Sequence, residues 1–167
     1  MPDEKAPTPA PALIPVGSPA PAFALNDQKE KKHTLADYKG KYVVLYFYPK
    51  DDTPGCTKEA CSFRDDVSQF KKRSAVVLGV SPDDEASHQK FIEKFSLPFD
   101  LLADTQQKTC NDYGVWQEKS MYGKKYMGVV RTTYLIGPDG KVAHRWDKVS
   151  VDGHQTEVLA KIDELKK

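Results

Sequence analysis

The sequence predicts an α/β fold in which helices flank a mixed central β-sheet, and three observations lead to this prediction. Residues 43–48 are continuously apolar and rich in β-branched and aromatic side chains, which is typical of a central strand covered on both faces. Strand and helix patterns then alternate as far as Gly114, and such alternation indicates parallel pairing. Near the C-terminus, a Gly-Pro-Asp-Gly turn at 137–140 joins two apolar segments, which indicates an antiparallel hairpin at the sheet edge.

Each element is predicted from a local pattern. An alternating segment at 21–25, followed by a polar loop at 26–33, indicates an N-terminal hairpin. The helix that follows Cys56 carries one apolar stripe, formed by Phe63, Val67 and Phe70. The other predicted elements are strands at 75–80, near 101–102, at 129–136 and at 141–146, and helices at 85–95, 104–113 and 156–165. This order of elements is that of a thioredoxin-like fold.

The chain length predicts one domain. With 167 residues, the chain is long enough for a single domain and short for two. Residues 1–14 are rich in Pro and Ala, and this composition favours extended conformations that cannot form a core. We therefore expect a disordered arm over 1–14 and a single thioredoxin-like domain over 15–167.

Charge and hydropathy argue against two classes of partner. The formal net charge is +1, which argues against binding to nucleic acid or to an anionic membrane. The sequence has no apolar run near the roughly 18 residues of a membrane span. The N-terminus also lacks the basic and apolar regions of a secretory signal, so we expect a cytoplasmic protein.

The cysteine count points to the same compartment. The chain has three cysteines, and an odd number suits a reducing compartment, in which thiols are catalytic, metal-bound or inert. A structural zinc site usually has about four ligands at short spacing, whereas the four histidines of this chain are scattered without such a pattern. We therefore expect no metal.

Cys56 is the most informative residue, because it falls in the first turn of the helix that follows the strand at 43–48. The helix dipole and the unpaired N–H groups at a helix start favour the thiolate, which is the nucleophilic form of cysteine. In an intact helix the Cα atoms of Cys56 and Cys61 would be about 8.6 Å apart, whereas a disulfide needs about 4.4–6.8 Å. Either the two cysteines never pair, or the first helical turn unwinds.

The residues around Cys56 allow several roles. Thr53-Pro54 fits an N-cap followed by a first-turn proline, but the Thr53 hydroxyl could also face the sulfur or a bound substrate. Gly55 allows a ligand to approach the backbone closely. Glu59 lies on the same helical face as Cys56, where an acid near the helix start also complements the dipole.

These residues carry a resemblance to a known family. The segment Pro49-x-x-x-Thr53-x-x-Cys56 resembles the active-site signature of the peroxiredoxins. Its continuation at 57–65 resembles the peroxiredoxin Q branch, which is also called bacterioferritin comigratory protein. The likeness covers about residues 16–166 and includes three later segments, at 113–116, 121–128 and 131–136.

The resemblance implies a thiol peroxidase that reduces hydrogen peroxide and organic hydroperoxides without a metal or a bound organic cofactor. By motif position, Cys56 is the peroxidatic cysteine and Cys61 the resolving cysteine, which implies an intramolecular disulfide between them. Thioredoxin is the implied reductant of that disulfide, and the branch is mostly monomeric.

The same resemblance implies roles for four further residues. Thr53 orients the peroxide and Pro49 shields the thiolate. Arg131 favours the thiolate and contacts the peroxide, while Glu59 matches the acid that holds this arginine.

The sequence leaves other interpretations open. A peroxide sensor that passes oxidation to a partner protein would use the same thiolate chemistry, whereas a general disulfide oxidoreductase would need a C-x-x-C motif, which the chain lacks. Cys110 matches no catalytic position of the family, and we expect it to be a packing residue, with redox sensing or dimerisation as the alternatives. The last motif is an aromatic cluster, interpreted as packing or as an apolar rim around the peroxide pocket: Trp116, Tyr122, Tyr126 and Met127.

Overall fold

The computed structural model describes residues 13–166. Residues 1–12 of the predicted arm lie outside that range. Leu13 and Ile14, which the prediction also assigned to the arm, pack against the apolar core. The Ile14 N–H donates to the Tyr134 hydroxyl at 3.0 Å, and its carbonyl accepts from Arg145 Nη1 at 2.8 Å.

The described residues form a seven-stranded sheet and a separate two-stranded sheet. The strands of the large sheet are β1 (Ala24–Asn26), β2 (Lys32–Thr34), β3 (Tyr42–Phe47), β4 (Ala75–Ser81), β5 (Asp100–Ala103), β8 (Thr132–Ile136) and β9 (Val142–Trp146). The small sheet is a hairpin of β6 (Trp116–Met121) and β7 (Lys124–Val129). The strand order in the large sheet is β2-β1-β5-β4-β3-β8-β9.

The pairing confirms the mixed sheet. Strand β4 is parallel to both β3 and β5, as the alternation of strands and helices predicts. The other pairs are antiparallel, and the predicted C-terminal hairpin supplies β8 and β9, with β9 at one edge. The N-terminal hairpin of β1 and β2 forms the other edge. The fold is therefore the α/β, thioredoxin-like fold that the sequence predicts.

Five α-helices flank the sheet within the described range. They are α1 (Pro54–Asp65), α2 (Val67–Lys72), α3 (Glu85–Phe95), α4 (Lys108–Asp112) and α5 (His154–Leu165), and a 3₁₀ helix spans Leu35–Tyr38. Side chains of β3 alternate between two apolar clusters, one on each face of the sheet. Helices α1, α2, α3 and α5 contribute to the cluster of Val44 and Tyr46, whereas α4 contributes to that of Val43 and Leu45.

Two predicted helices are shorter than expected. The helix that follows Cys56 ends at Asp65, because Asp66 leaves the helical conformation and a second helix, α2, begins at Val67. The helix predicted at 104–113 covers only Lys108–Asp112. Asp104 instead stays outside that helix, and its carboxylate accepts hydrogen bonds from backbone N–H groups of its first turn.

The strand predicted at 129–136 is in fact two strands, and the β6–β7 hairpin was not predicted. The break falls at Val130 and Arg131, whose backbone groups bond outside the sheet. The Val130 N–H donates to Val115 O at 2.9 Å, and Arg131 O accepts from Val149 N at 2.9 Å. Arg131 therefore lies between two strands and is not part of either.

Within residues 13–166, no helix combines the length and the apolar character that crossing a membrane requires.

Candidate active site

The loop 48–53 leads from the central strand β3 into α1, and the start of α1 matches the prediction. Thr53 occupies the N-cap position with an extended backbone, and Pro54 follows at the first helical position. The first intrahelical hydrogen bond runs from Thr57 N to Thr53 O at 2.8 Å. Cys56 therefore lies in the first turn, where backbone N–H groups have no intrahelical partner.

The Thr53 side chain does not cap the helix. Its hydroxyl donates to Lys50 O at 2.9 Å and makes no hydrogen bond to the first turn of α1. Because the hydroxyl proton is directed to a carbonyl, the Thr53 oxygen can meet a ligand only as an acceptor, for example of a peroxide O–H.

Arg131 joins two residues of α1. Its Nη2 donates to Cys56 Sγ at 3.2 Å and its Nη1 donates to Glu59 Oε1 at 2.5 Å. A Cβ atom on residue 55 would lie 3.2 Å from Arg131 Nη2, so Gly55 leaves the space that the guanidinium fills. Burial alone would lower the pKa of Arg131, but Glu59 and Cys56 outweigh this effect and raise it. The sulfur thus faces a permanent positive charge.

Glu59 is almost fully buried, with a side chain only 1 % exposed. Burial raises its pKa to about 7, although the neighbouring Arg131 acts in the opposite direction. Its second oxygen, Oε2, and the buried Tyr46 hydroxyl have no hydrogen-bond partner among the described residues. Burial, followed by the charges of Glu59 and Cys56, raises the pKa of Tyr46 well above its usual value. Near neutral pH, this pocket therefore holds a carboxyl group that gains or loses its proton easily.

The three cysteines are all free thiols in different surroundings. Cys56 is 2 % exposed, but Pro54 and Gly55 beside it are exposed, so the thiol lies just beneath the surface. Cys61 is half-buried on the same helix. Cys110 lies in the apolar cluster on the opposite face of the sheet, and burial raises the pKa of its thiol. The sheet separates Cys110 from Cys56.

The structure brings Cys56, Glu59 and Arg131 into direct contact. Pro49 is half-buried in the loop before α1, without a hydrogen bond that ties it to Cys56.

Lys119 was missed by the sequence analysis. Burial and the charge of Arg131 lower its pKa, whereas Cys56 raises it, so Lys119 lies within electrostatic range of the site. It is one of 25 lysines and arginines, and no pattern in the sequence distinguishes it.

The aromatic cluster is largely exposed. Tyr122 is 98 % exposed at the tip of the β6–β7 hairpin, and Tyr126 and Met127 are about half exposed, whereas Trp116 packs against the core. Core packing therefore describes Trp116 only.

Among residues 13–166, one group of residues outside this site has metal-ligand atoms close together. Asp27, His33 and Asp100 each place one such atom within 4.8 Å of the others. Both ring nitrogens of His33 already form hydrogen bonds within the protein. Nε2 lies 2.7 Å from Asp27 Oδ2, and Nδ1 lies 2.5 Å from the Tyr38 hydroxyl. The group belongs to the β2 edge of the sheet and takes no part in the Cys56 site.

Comparison with known proteins identifies the family. Residues 16–145 match the AhpC/TSA family. The chain belongs to this family. Peroxiredoxin Bcp of Bacillus subtilis is 47 % identical over 152 residues, which cover 91 % of this chain and 97 % of the relative.

Solved peroxiredoxin structures agree with this assignment. The bacterioferritin comigratory protein of Xanthomonas campestris, whose structures were described with its alkyl peroxide reduction activity, has a TM-score of 0.83 at 39 % identity and covers 87 % of this chain and 92 % of that one. A cysteine-to-serine mutant of Xylella fastidiosa PrxQ has a TM-score of 0.89 at 36 % identity, with 93 % and 99 % covered. The resemblance to the peroxiredoxin Q branch is thereby confirmed, and this peroxiredoxin is an enzyme, a thiol peroxidase.

Proposed function

We propose that this peroxiredoxin reduces hydrogen peroxide and organic hydroperoxides through Cys56, closes a Cys56–Cys61 disulfide, and is recycled by thioredoxin. The observation that carries the proposal is the contact of 3.2 Å between Arg131 Nη2 and Cys56 Sγ in the first turn of α1. A thiolate at this position has a cation and free backbone N–H groups beside it, which is the environment of a reactive cysteine.

In the first step, the Cys56 thiolate attacks one peroxide oxygen and the O–O bond breaks. The sulfur is oxidised to sulfenic acid, and the other oxygen leaves as water or an alcohol after taking up a proton. Arg131 and the N–H groups of the first turn stabilise the negative charge that develops on the departing oxygen. Thr53 accepts the peroxide O–H and orients the substrate, and Pro49 shields the thiolate from water.

Glu59 has two roles in this proposal. Its Oε1 fixes the guanidinium of Arg131 against the sulfur. Because its pKa is raised to about 7, Glu59 is partly protonated near neutral pH. The negative charge that faces Arg131 therefore depends on pH.

In the second step, the Cys61 thiol attacks the sulfenic acid, water leaves, and a disulfide forms. Both residues belong to one continuous helix, so the first turn of α1 must unwind before the two sulfurs can bond. Thioredoxin, a dithiol protein, then reduces the disulfide by thiol–disulfide exchange and is itself oxidised.

The organic substrates and the setting are part of the same proposal. The alkyl peroxide reduction of the Xanthomonas relative supports organic hydroperoxides as substrates. We further propose that the protein acts as a monomer in the cytoplasm, where its antioxidant activity needs no metal or organic cofactor. Light scattering of the purified full chain tests the monomer.

Cysteine variants test the mechanism in a coupled assay with thioredoxin, its reductase and NADPH. Cys56→Ser should abolish peroxide consumption. Cys61→Ser should consume one equivalent of peroxide and then stop. Cys110→Ala is the matched control, because this thiol lies on the other face of the sheet, and it should retain full turnover.

Three results would contradict the proposal. Continued turnover by Cys56→Ser would remove this residue as the nucleophile, and continued thioredoxin-coupled turnover by Cys61→Ser would remove the resolving role. A wild-type protein that reacts once and stalls as a mixed disulfide with a partner would be a sensor instead.

A further inference from the structure

A buried polar network holds the loop between β3 and α1, and the mechanism above does not use it. Its centre is Asp51, which is 8 % exposed, and its main partner is the fully buried His88 of α3. Asp51 Oδ2 lies 2.7 Å from His88 Nδ1 and accepts a hydrogen bond from Ser87 Oγ at 2.8 Å. The Tyr48 hydroxyl donates to Asp51 Oδ1 at 2.6 Å. Three side-chain groups therefore converge on one carboxylate.

Both ring nitrogens of His88 have a hydrogen-bond partner. His88 Nε2 lies 3.0 Å from Leu102 O, which can only accept a hydrogen bond, so this nitrogen carries a proton. His88 Nδ1 faces the Asp51 carboxylate, which also accepts. His88 and Asp51 therefore form a buried hydrogen-bonded pair, and removing one partner leaves the other buried without its hydrogen bond, which is destabilising.

The backbone of Asp51 is fixed as well. Its N–H donates to Asp83 Oδ2 at 2.8 Å, and the same oxygen accepts a hydrogen bond from Ser81 Oγ at 2.7 Å. These contacts tie the loop to the end of β4, to α3 and, through His88, to β5. Helix α1 takes part in none of these contacts.

The chain changes character immediately after Asp51. Asp52 is exposed and has a positive φ of 57°, and its carboxylate forms a surface ion pair with Lys94. The Thr53 hydroxyl bonds back to Lys50 within the same loop. The buried Asp51 is thus followed by a short segment, Asp52 and Thr53, whose side chains contact only the surface or the same loop in the bonds named above. This segment leads directly into the helical turn that carries Cys56.

We propose that Asp51 and His88 are positioning residues for Cys56, and this inference rests on the proposed function. They hold the point from which the first turn of α1 starts and so favour the folded turn, in which Cys56 contacts Arg131. The unwinding that the disulfide requires is then confined to the residues after Asp51. Loss of the network therefore affects the two chemical steps differently: it slows attack on peroxide and does not slow disulfide closure.

The test measures both steps in full-length Asp51→Ala. Competition with horseradish peroxidase for hydrogen peroxide gives the rate constant of the first step, and rapid quenching with mass spectrometry gives the rate of disulfide closure. We expect the first rate constant to fall at least about tenfold, because small displacements of a reacting group cost up to about 100-fold. The closure rate should be unchanged or higher.

Asp27→Ala is the matched control, because it also removes a buried carboxylate from a histidine. Asp27 is 3 % exposed and lies 2.7 Å from His33 on the β1–β2 hairpin. Both rates of this variant should equal those of the wild type. Ser87→Ala removes only one donor from Asp51, so it should show a smaller change in the same direction and serves if Asp51→Ala does not fold.

The outcomes separate this inference from the proposed function. Equal loss in Asp51→Ala and Asp27→Ala, parallel slowing of both steps, or no change in Asp51→Ala and Ser87→Ala would overturn the positioning role. A wild-type protein that forms no Cys56–Cys61 disulfide with peroxide would instead overturn the proposed function.

Discussion

Arg131 is the residue whose geometry constrains the site most, because its two terminal nitrogens contact different residues of α1. We expect Arg131→Lys to lower the second-order rate constant with hydrogen peroxide by about 100-fold, the typical loss for one donor to a developing oxyanion. A lysine keeps the charge, but as a point charge it cannot reproduce the planar fork. Stopped-flow kinetics of the reduced protein measures this constant.

Arg145→Lys is the control for that substitution. Arg145 also forms a forked pair, with Asp147 at 2.7 and 3.1 Å, but at the protein surface. The rate constant of Arg145→Lys with hydrogen peroxide should match that of the wild type. An equal loss in both variants would show that Arg131 acts only through general stability.

The raised pKa of Glu59 has a consequence for stability. Because the pKa in the folded protein, about 7, exceeds the usual 4.5, the folded state holds a proton that the unfolded state loses between these values. Stability from this group is therefore complete below pH 4.5 and decreases as the pH rises to 7. Glu59→Gln removes this dependence.

The measurement is chemical denaturation of the wild type and of Glu59→Gln between pH 4 and 8. Relative to the wild type, the free energy of unfolding of Glu59→Gln should rise with pH by up to about 3 kcal/mol and level off above pH 7. A difference that stays constant across this range would exclude a raised pKa for Glu59.

At the residue scale, the sequence could predict the members of the site that belong to a local motif. Cys56 and Glu59 lie three residues apart on one helix, and helical geometry alone places them on one face. Asp51 and His88 are separated by 37 positions, and neither belongs to a periodic pattern. Their pairing depends on the packing of α3 against the loop, which no local signal records.

At the element scale, the start of α1 was predictable because Thr-Pro is a local signal, whereas the β6–β7 hairpin was not. Most of its side chains are exposed or half-exposed, so it lacks the apolar alternation that marks a half-buried strand. The break between β7 and β8 was missed for a related reason. It is set by backbone hydrogen bonds to Val115 and Val149, which are distant in sequence.

The two faces of this hairpin have different environments. Tyr126 is paired with Lys119 on the neighbouring strand, so both side chains lie on the same face of the hairpin. Lys119 lies within electrostatic range of Arg131 and Cys56. Met127 pairs with Glu118 on the other face. An apolar side chain on the first face can contact the organic part of a hydroperoxide.

We therefore expect Tyr126→Ser to lower the preference for cumene hydroperoxide over hydrogen peroxide by about fivefold, the effect of roughly 1 kcal/mol of apolar contact. Steady-state kinetics with both substrates gives this ratio of kcat/KM values. Met127→Ser removes a similarly exposed apolar side chain from the opposite face and should leave the ratio unchanged. A similar change in both variants would contradict a role for the Lys119 face.

At the scale of the whole molecule, the unwinding that we propose involves the start of α1 and not the strands of the sheet. The order of strands and helices could be predicted because buried strands and turn residues carry strong local signals. The separation of Cys56 and Cys110 onto opposite faces could not, because it depends on the side of the sheet to which α4 crosses. Strand β3 is buried almost throughout and pairs on both sides. An opening of α1 should therefore remain local.

This expectation can be tested by hydrogen exchange. After one equivalent of peroxide, the amide of Thr57, which bonds to Thr53 O in the reduced protein, should exchange much faster. Amides of β3 and β4 should keep their protection, because their partners do not move. Cys61→Ser treated in the same way forms sulfenic acid but no disulfide, so its Thr57 amide should stay protected. Persistent protection of Thr57 in the oxidised wild type would contradict the unwinding of the first turn, on which closure of the Cys56–Cys61 disulfide depends.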